Sequence, residues 1–194
     1  MNYPDIYVLR HGQTEWNLAG RHQGRLDSPL TELGRAQAAD QGRILSGLAL
    51  DWSSVAFVSS PQGRALSTAK IVGDPFGCSL TQDARLVEIS FGSCEGMTED
   101  EIAAVFPAFA DDGGDPIDRH FYVPGGESFE ELSARAQSFL DDLDRPTVVV
   151  THGITSRVLR SLAMGGGRPL TLDLPGGQGV VHAVCGGKHR TLNL

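Results

Sequence analysis

The chain has 194 residues, 40% of them hydrophobic, and a formal net charge of −8. That is enough apolar material for one folded domain with its own core, so disorder is not the default. The acidic balance argues against a nucleic-acid backbone or an anionic membrane surface as the partner.

Three cysteines, Cys78, Cys94 and Cys185, are odd in number and far apart. They offer neither a disulfide framework nor a CxxC pair, and they point to a reducing cytoplasm. The opening MNYPDIYVLRHG lacks a basic stretch followed by an apolar one, so an export signal is not expected. No run approaches the roughly 18 apolar residues of a membrane span.

In chain order, Ile6 to Leu9 is the first short, fully apolar run, Val55 to Val58 the second and Thr147 to Val150 the third. Runs of this kind suit strands covered by helices on both faces. A helix is expected from about Thr31 to Ser46. Ser60-Pro61 reads as an N-cap with Pro at the first helical position, and Ala65, Ala69 and Val72 then share a face. A weaker strand is placed at Cys78 to Thr81. Capping boxes are read at Thr98 to Glu101 and at Ser128 to Glu131. The second opens a helix whose stripe of Phe129, Leu132, Ala136, Phe139, Leu140 and Leu143 belongs to the core. Another helix is expected after His152, carrying Val158, Leu159 and Leu162. Val180 to Cys185 and Thr191 to Leu194 are expected to pair around Gly186-Gly187. Alternating strands and helices imply a three-layer α/β/α sandwich with a mostly parallel central sheet. The whole of 1–194 reads as one domain, with a lid-like loop around 107–128.

Three polar clusters follow directly on strands: Arg10-His11-Gly12, Ser59 to Arg64, and Thr151-His152-Gly153. In a parallel sheet the carboxyl ends of the strands share one edge, so the clusters should converge there. Two guanidiniums and two imidazoles in an acidic protein describe an anion pocket. Arg10, Arg64 and His152 can neutralise phosphoryl oxygens, and His11 can act as the nucleophile in line with the leaving oxygen. Gly12 is expected to let the backbone approach the ligand. Glu88 is the candidate acid for the leaving alkoxide, with Glu95 and Glu127 as alternatives. His22, His120, His182 and His189 default to structural or surface roles. No HxxxH or HExxH spacing occurs, so no metal site is expected.

The stretch Leu9-Arg10-His11-Gly12-Gln13-Thr14-Glu15-Trp16-Asn17 resembles the opening signature of the histidine phosphatase (phosphoglycerate mutase-like) superfamily. The resemblance continues in order through Leu30 to Gly34, Ser59-Ser60-Pro61 with Arg64-Ala65, Leu86-Val87-Glu88, Gly125 to Ser128, and Thr151-His152-Gly153. It implies that His11 is phosphorylated, that Arg10, Arg64 and His152 hold the phosphoryl group, and that Glu88 is proton donor and then base. It places Asn17, Gln23, Gly24 and Gly153 on the substrate side, and it implies no metal and no organic cofactor. Cys94 departs from the Trp that relatives often carry, at a position expected to pack beneath the loop.

The implied activity is hydrolysis of a small phosphorylated metabolite. A mutase-type phosphotransferase and an inactive phospho-ligand-binding relative are the alternatives. Residues 89–147 hold fourteen Asp and Glu against three Arg, which disfavours a bisphosphate ligand. The stretch from Ala110 to Glu131 carries Asp111, Asp112, Asp115, Asp118, Glu127, Glu130 and Glu131. If these face the ligand, with Phe121 and Tyr122 stacking on it, the substrate is a monophosphate whose remainder is neutral or cationic.

Overall fold

The computed structural model describes residues 3–107 and 115–194. Six strands form one sheet: β1 (Ile6–Arg10), β2 (Ala56–Ser59), β3 (Leu80–Gln82), β4 (Thr147–Thr151), β5 (Val181–Cys185) and β6 (Lys188–Leu192), in the order β3-β2-β4-β1-β5-β6. β1 to β4 are mutually parallel, and β5 and β6 add an antiparallel hairpin at the β1 edge. The helices are α1 (Glu15–Leu18), α2 (Glu32–Ser46), α3 (Gly63–Gly73), α4 (Glu99–Val105), α5 (Phe129–Asp141), α6 (Gly153–Ala163) and α7 (Arg168–Asp173).

Strand periodicity of two explains the layering. Ile6, Val8 and Val149 enter one core with Leu132, Phe139, Leu140, Val158 and Leu159 of α5 and α6. Tyr7, Leu9, Val148 and Val150 enter the other with Ala38 and Leu45 of α2 and Ala65, Ala69 and Val72 of α3. β1 and β4 are therefore apolar on both faces, as the centre of a parallel sheet between helices requires. The fold is the expected three-layer α/β sandwich, and Cys94 is buried in the first core as expected.

Both capping boxes form. Thr98 and Ser128 accept the backbone N–H groups of Glu101 and Glu131, whose carboxylates bond back to the cap N–H groups. The terminal hairpin turns on Gly186 and Gly187, both at positive φ, the conformation a two-residue primed turn needs. Its second strand accordingly starts at Lys188, three residues before the sequence pattern suggests.

Two further boundaries differ from expectation. α3 begins at Gly63 with Gln62 as N-cap, not at Pro61 with Ser60. The Ser60 hydroxyl is engaged by His152 instead, and the Gln62 side chain is drawn across to Gly24 and Glu88. β3 starts at Leu80, because the left-handed Gly77 ends a tight turn over Asp74–Phe76 and pairing with β2 begins only at Leu80 opposite Phe57. Of the expected lid, residues 108–114 lie outside the described part. The rest carries a 3-10 turn at Asp118–Tyr122. No helix among the described residues is long and apolar enough to cross a membrane.

Candidate active site

The carboxyl ends of β1, β2 and β4 bring their three clusters together. The His11 N–H donates to Thr151 O and the Ser60 N–H to Val150 O, so the ladder continues one residue past each strand. The rings of His11 and His152 lie 5.3 Å apart. Arg10, His11, Asn17, Gln23, Gly24, Arg64, Glu88 and Gly153 line one cavity of about 320 Å³. Eight of the nine sequence-selected positions thus share a wall, and His152 is packed behind it, fully buried.

Hydrogen-bond accounting assigns the proton of the neutral His11 imidazole. His11 Nδ1 lies 2.8 Å from the Gly12 carbonyl, which can only accept, so Nδ1 carries the hydrogen and Nε2 the lone pair. Ser60 Oγ accepts the Gln62 N–H and sits 2.8 Å from His152 Nε2. The hydroxyl oxygen keeps a second lone pair and its own hydrogen, so it can accept from or donate to Nε2, and His152 Nδ1 is a buried nitrogen without a partner among the described residues. Burial, reinforced by the nearby Arg10 and Arg64, holds the His11 pKa well below its usual value. Burial and Arg64 do the same for His152. Both rings are therefore neutral near pH 7.

Backbone carbonyls fix the Arg64 guanidinium, and a side chain holds the Arg10 main chain. Arg64 donates to Leu26 O, Gly24 O and Asp27 Oδ1 at 2.6, 2.9 and 3.0 Å, and Gln41 Nε2 grips the Arg10 carbonyl at 3.0 Å. Arg10 Nε and Arg64 Nε remain buried without partners among the described residues. They are two N–H donors beside His11 that the protein leaves open, suited to the oxygens of an oxyanion.

Glu88 follows the 3-10 turn after β3. Its carboxylate accepts the N–H groups of Ile154 and Thr155 in the first turn of α6, the Thr155 hydroxyl, and the N–H of Ile89, all at 3.0–3.2 Å. It is the sole carboxylate lining the cavity among the described residues. Glu95 is tied to the N–H groups of Arg25 and Phe91 and to the Ser90 hydroxyl, and Glu127 is paired with Arg135 and Arg25. Asn17 both closes the α1 capping box and lines the cavity, where Gln178 donates to its Oδ1.

Four expectations are corrected. Gly12 is small for the sake of α2, not of a ligand: a Cβ there would meet the Gly34 carbonyl at 2.1 Å. His22 and His120 are on the cavity wall, with Phe91 and Ile117. Phe121 is buried in the core and Tyr122 is exposed beside Arg168, so neither offers the cavity a stacking surface. The lid carboxylates do not face the ligand: Asp118 is held by Arg168, Glu127 by Arg135, and Glu131 by its own helix cap. None of Asp115, Asp118, Glu127, Glu130 and Glu131 lines the cavity, and Asp111 and Asp112 lie outside the described residues. A neutral or cationic remainder therefore loses its basis.

Sequence reasoning gave no role to Gln62, Asp27, Gln178 or Arg157. Of these, Arg157 was the most accessible, since it lies one helical turn beyond Gly153 on a helix rooted at the strand end.

The family model described as "Histidine phosphatase superfamily (branch 1)" matches residues 6–189. A protein of Erwinia tasmaniensis named "Probable phosphoglycerate mutase GpmB" is 34% identical over 82% of this chain and 74% of its own length. The solved structure of Bacillus stearothermophilus YhfR superposes with a TM-score of 0.79 at 35% identity, covering 96% of this chain and 94% of that one. A mycobacterial glucosyl-3-phosphoglycerate phosphatase, in complex with VO3, gives a TM-score of 0.77 at 29% identity over 98% of both chains. Motif order, strand-end geometry and similarity across nearly the whole length agree: the chain belongs to the histidine phosphatase superfamily.

Proposed function

We propose that the protein is a phosphomonoesterase that hydrolyses a small phosphorylated metabolite through a phosphohistidine on His11. The observation that carries this reading is the His11 tautomer: with Nδ1 bonded to Gly12, Nε2 is a neutral nucleophile amid unpartnered donors. In the first step His11 Nε2 bonds to phosphorus as the ester P–O bond breaks. Arg10, Arg64 and His152 take the charge on the equatorial oxygens. Glu88 gives its proton to the leaving alkoxide. In the second step Glu88 takes a proton from water as its oxygen bonds to phosphorus, the N–P bond breaks, and inorganic phosphate leaves with His11 neutral again. Gln23, Gly24, Asn17 and Gly153 shape the substrate side. Ile117 and His120 close part of the cavity wall.

The cytoplasm is the compartment we assign, on the support of three unpaired cysteines. The partner is the phosphorylated metabolite alone, not nucleic acid or membrane.

Mutase activity is the second reading, favoured by the printed name of the Erwinia relative. Hydrolysis is preferred because the chain spans about three quarters of that relative but aligns end to end with the mycobacterial phosphatase. Stimulation of phosphoglycerate interconversion by 2,3-bisphosphoglycerate would reverse the preference.

The test of the covalent step is a rapid quench with labelled substrate. An acid-labile, base-stable phosphoenzyme is expected on the wild type and none on a folded His11→Ala protein. Wild-type turnover by that variant would sink the mechanism.

A further inference from the structure

The phosphoryl residues account for part of the cavity lining; Arg21, His22, His120 and Arg157 are its further polar residues. Most of these polar groups are already committed. Arg21 is paired with Glu101 at 2.7 Å and also donates to Gly96 O. His22 faces Glu99 at 2.9 Å. His120 bonds to Ile117 O, and burial lowers its pKa, so it brings no charge at neutral pH. Arg157 differs. It donates from Nη1 to Leu174 O and has no carboxylate within ion-pair distance among the described residues. Its Nη2 lies against Gly176 on the cavity wall, so close that a Cβ at Gly176 would meet it at 2.8 Å. Burial lowers its pKa, the mark of a cation whose charge is poorly compensated, and Asp115 offsets this only through space.

Position fixes what this cation can read. Gly153, Ile154 and Arg157 all line the cavity, and Gly153 sits beside the Arg10 guanidinium. Arg157 is four residues on, one turn of about 5.4 Å along the same face of α6. It therefore stands one helical turn from the phosphoryl site, within the span of a short carbon chain. A cavity of about 320 Å³ is at the small end for ligand sites, which suits a compact substrate and not a large one.

Building on the phosphatase reading, we propose that Arg157 is a specificity-determining residue that binds a second oxyanion, a carboxylate or phosphate, on the alcohol portion of a small phosphate ester. The substrate class is then a short-chain phosphate monoester bearing another anionic group two or three carbons from the ester oxygen. A charge-assisted bond to a fixed guanidinium discriminates against the neutral analogue, because the half-buried arginine is then left without a compensating charge.

The experiment compares kcat/KM for 3-hydroxypropyl phosphate, 3-phosphooxypropanoate and propane-1,3-diyl bisphosphate, in the wild type, Arg157→Gln and Arg157→Lys. The wild type is expected to favour at least one anionic compound over the neutral one by on the order of 10- to 100-fold. The better of the two identifies the oxyanion. Arg157→Gln should collapse that ratio towards one, and Arg157→Lys should retain part of it. Loss of the same factor on all three compounds would mean that Arg157 only holds the Leu174 carbonyl, and would overturn the proposal. So would a wild type without preference. Should Arg157→Gln not fold, Arg157→Lys decides: a reduced ratio supports the proposal and an unchanged one overturns it. Turnover of p-nitrophenyl phosphate separates the two levels: its absence overturns the phosphatase reading and this proposal with it, whereas its presence with an unmoved ratio overturns Arg157 alone.

Discussion

Glu88 has two jobs at one atom set. It accepts the N–H groups of Ile154 and Thr155, as a capping carboxylate would, and it lines the cavity where a leaving oxygen must be protonated. Glu88→Gln separates them, because an amide still accepts from the helix N-terminus but transfers no proton. General acid catalysis is typically worth roughly 10²–10⁴-fold. The variant should lose about that factor on an alkyl phosphate but little in phosphoenzyme formation from p-nitrophenyl phosphate, whose phenolate leaves unaided. Equal losses on both substrates would show that Glu88 only positions α6. The catalytic candidates were legible because each follows a strand end within a recognisable word. Their supports were not: Gln62 bonds Gly24 and Glu88, Asp27 bonds Arg64, and Gln178 bonds His11 O from 167 residues away. These partners carry no local pattern, because backbone carbonyls and amides of distant loops select them only after the chain has folded.

Between elements, the tightest approach is that of α2 to the loop after β1. Gly12 and Gly34 face each other: a Cβ on Gly34 would lie 2.0 Å from Gln13 O. Both obstacles are backbone, so neither can swing aside. The Thr68 hydroxyl locks the same loop by accepting the Gly12 N–H while donating to Arg64 O, which ties α3 to the site. Gly34→Ala should therefore push α2 away from the His11 loop. The expected cost exceeds about 3 kcal/mol in denaturant unfolding, or catalysis is lost in a folded protein. Gly47→Ala at the other end of α2 is the control. Its φ is −75° and the nearest foreign atom to its Cβ lies at 3.4 Å, so it should be neutral or slightly stabilising. Unperturbed activity and midpoint in Gly34→Ala would disprove the wedge. At this scale the sequence was most readable where chemistry is local, as in the Thr98 and Ser128 capping boxes or the apolar run of β4. It misled where a tertiary partner took over a local signal, as when His152 claimed the Ser60 hydroxyl that was read as a helix cap. The acidic loop misled for the same reason, since composition cannot tell that Arg168 and Arg135 already hold Asp118 and Glu127.

Across the whole molecule, the burial of histidine sets how the fold responds to acid. Five of the six histidines have lowered pKa values. His11 and His152 sit in the site, His120 on the cavity wall, and His182 and His189 between the β5–β6 hairpin and α6. The last pair surrounds Arg160, which is fully buried and held by Ser156 O, Pro175 O and His189 Nε2, with no carboxylate partner among the described residues. Protonating either ring would place a second cation beside it. Burial, with Arg160 close by, brings His182 down to about 3. The sign follows from proton counting. Between the ordinary histidine pKa of about 6.5 and the lower folded value, the unfolded chain binds more protons, so stability is complete above about 6.5 and falls as the pH drops below it. For a histidine still neutral at pH 5 the loss is about 2 kcal/mol. His182 is in that state, and His11 and His152, lowered by burial, add to the loss in the same direction. Carboxylates such as Asp83, lowered by its bonds to Arg85, add their own loss only further down, as the pH falls through their range. Urea unfolding from pH 8 to pH 5 should therefore show a plateau above about 6.5 and a steep decline beneath it, well before the carboxylates titrate. His182→Gln should flatten that decline by about one proton per molecule. A decline beginning only below about pH 4.5, or an unchanged slope in His182→Gln, would mean that these rings accept protons in the folded state.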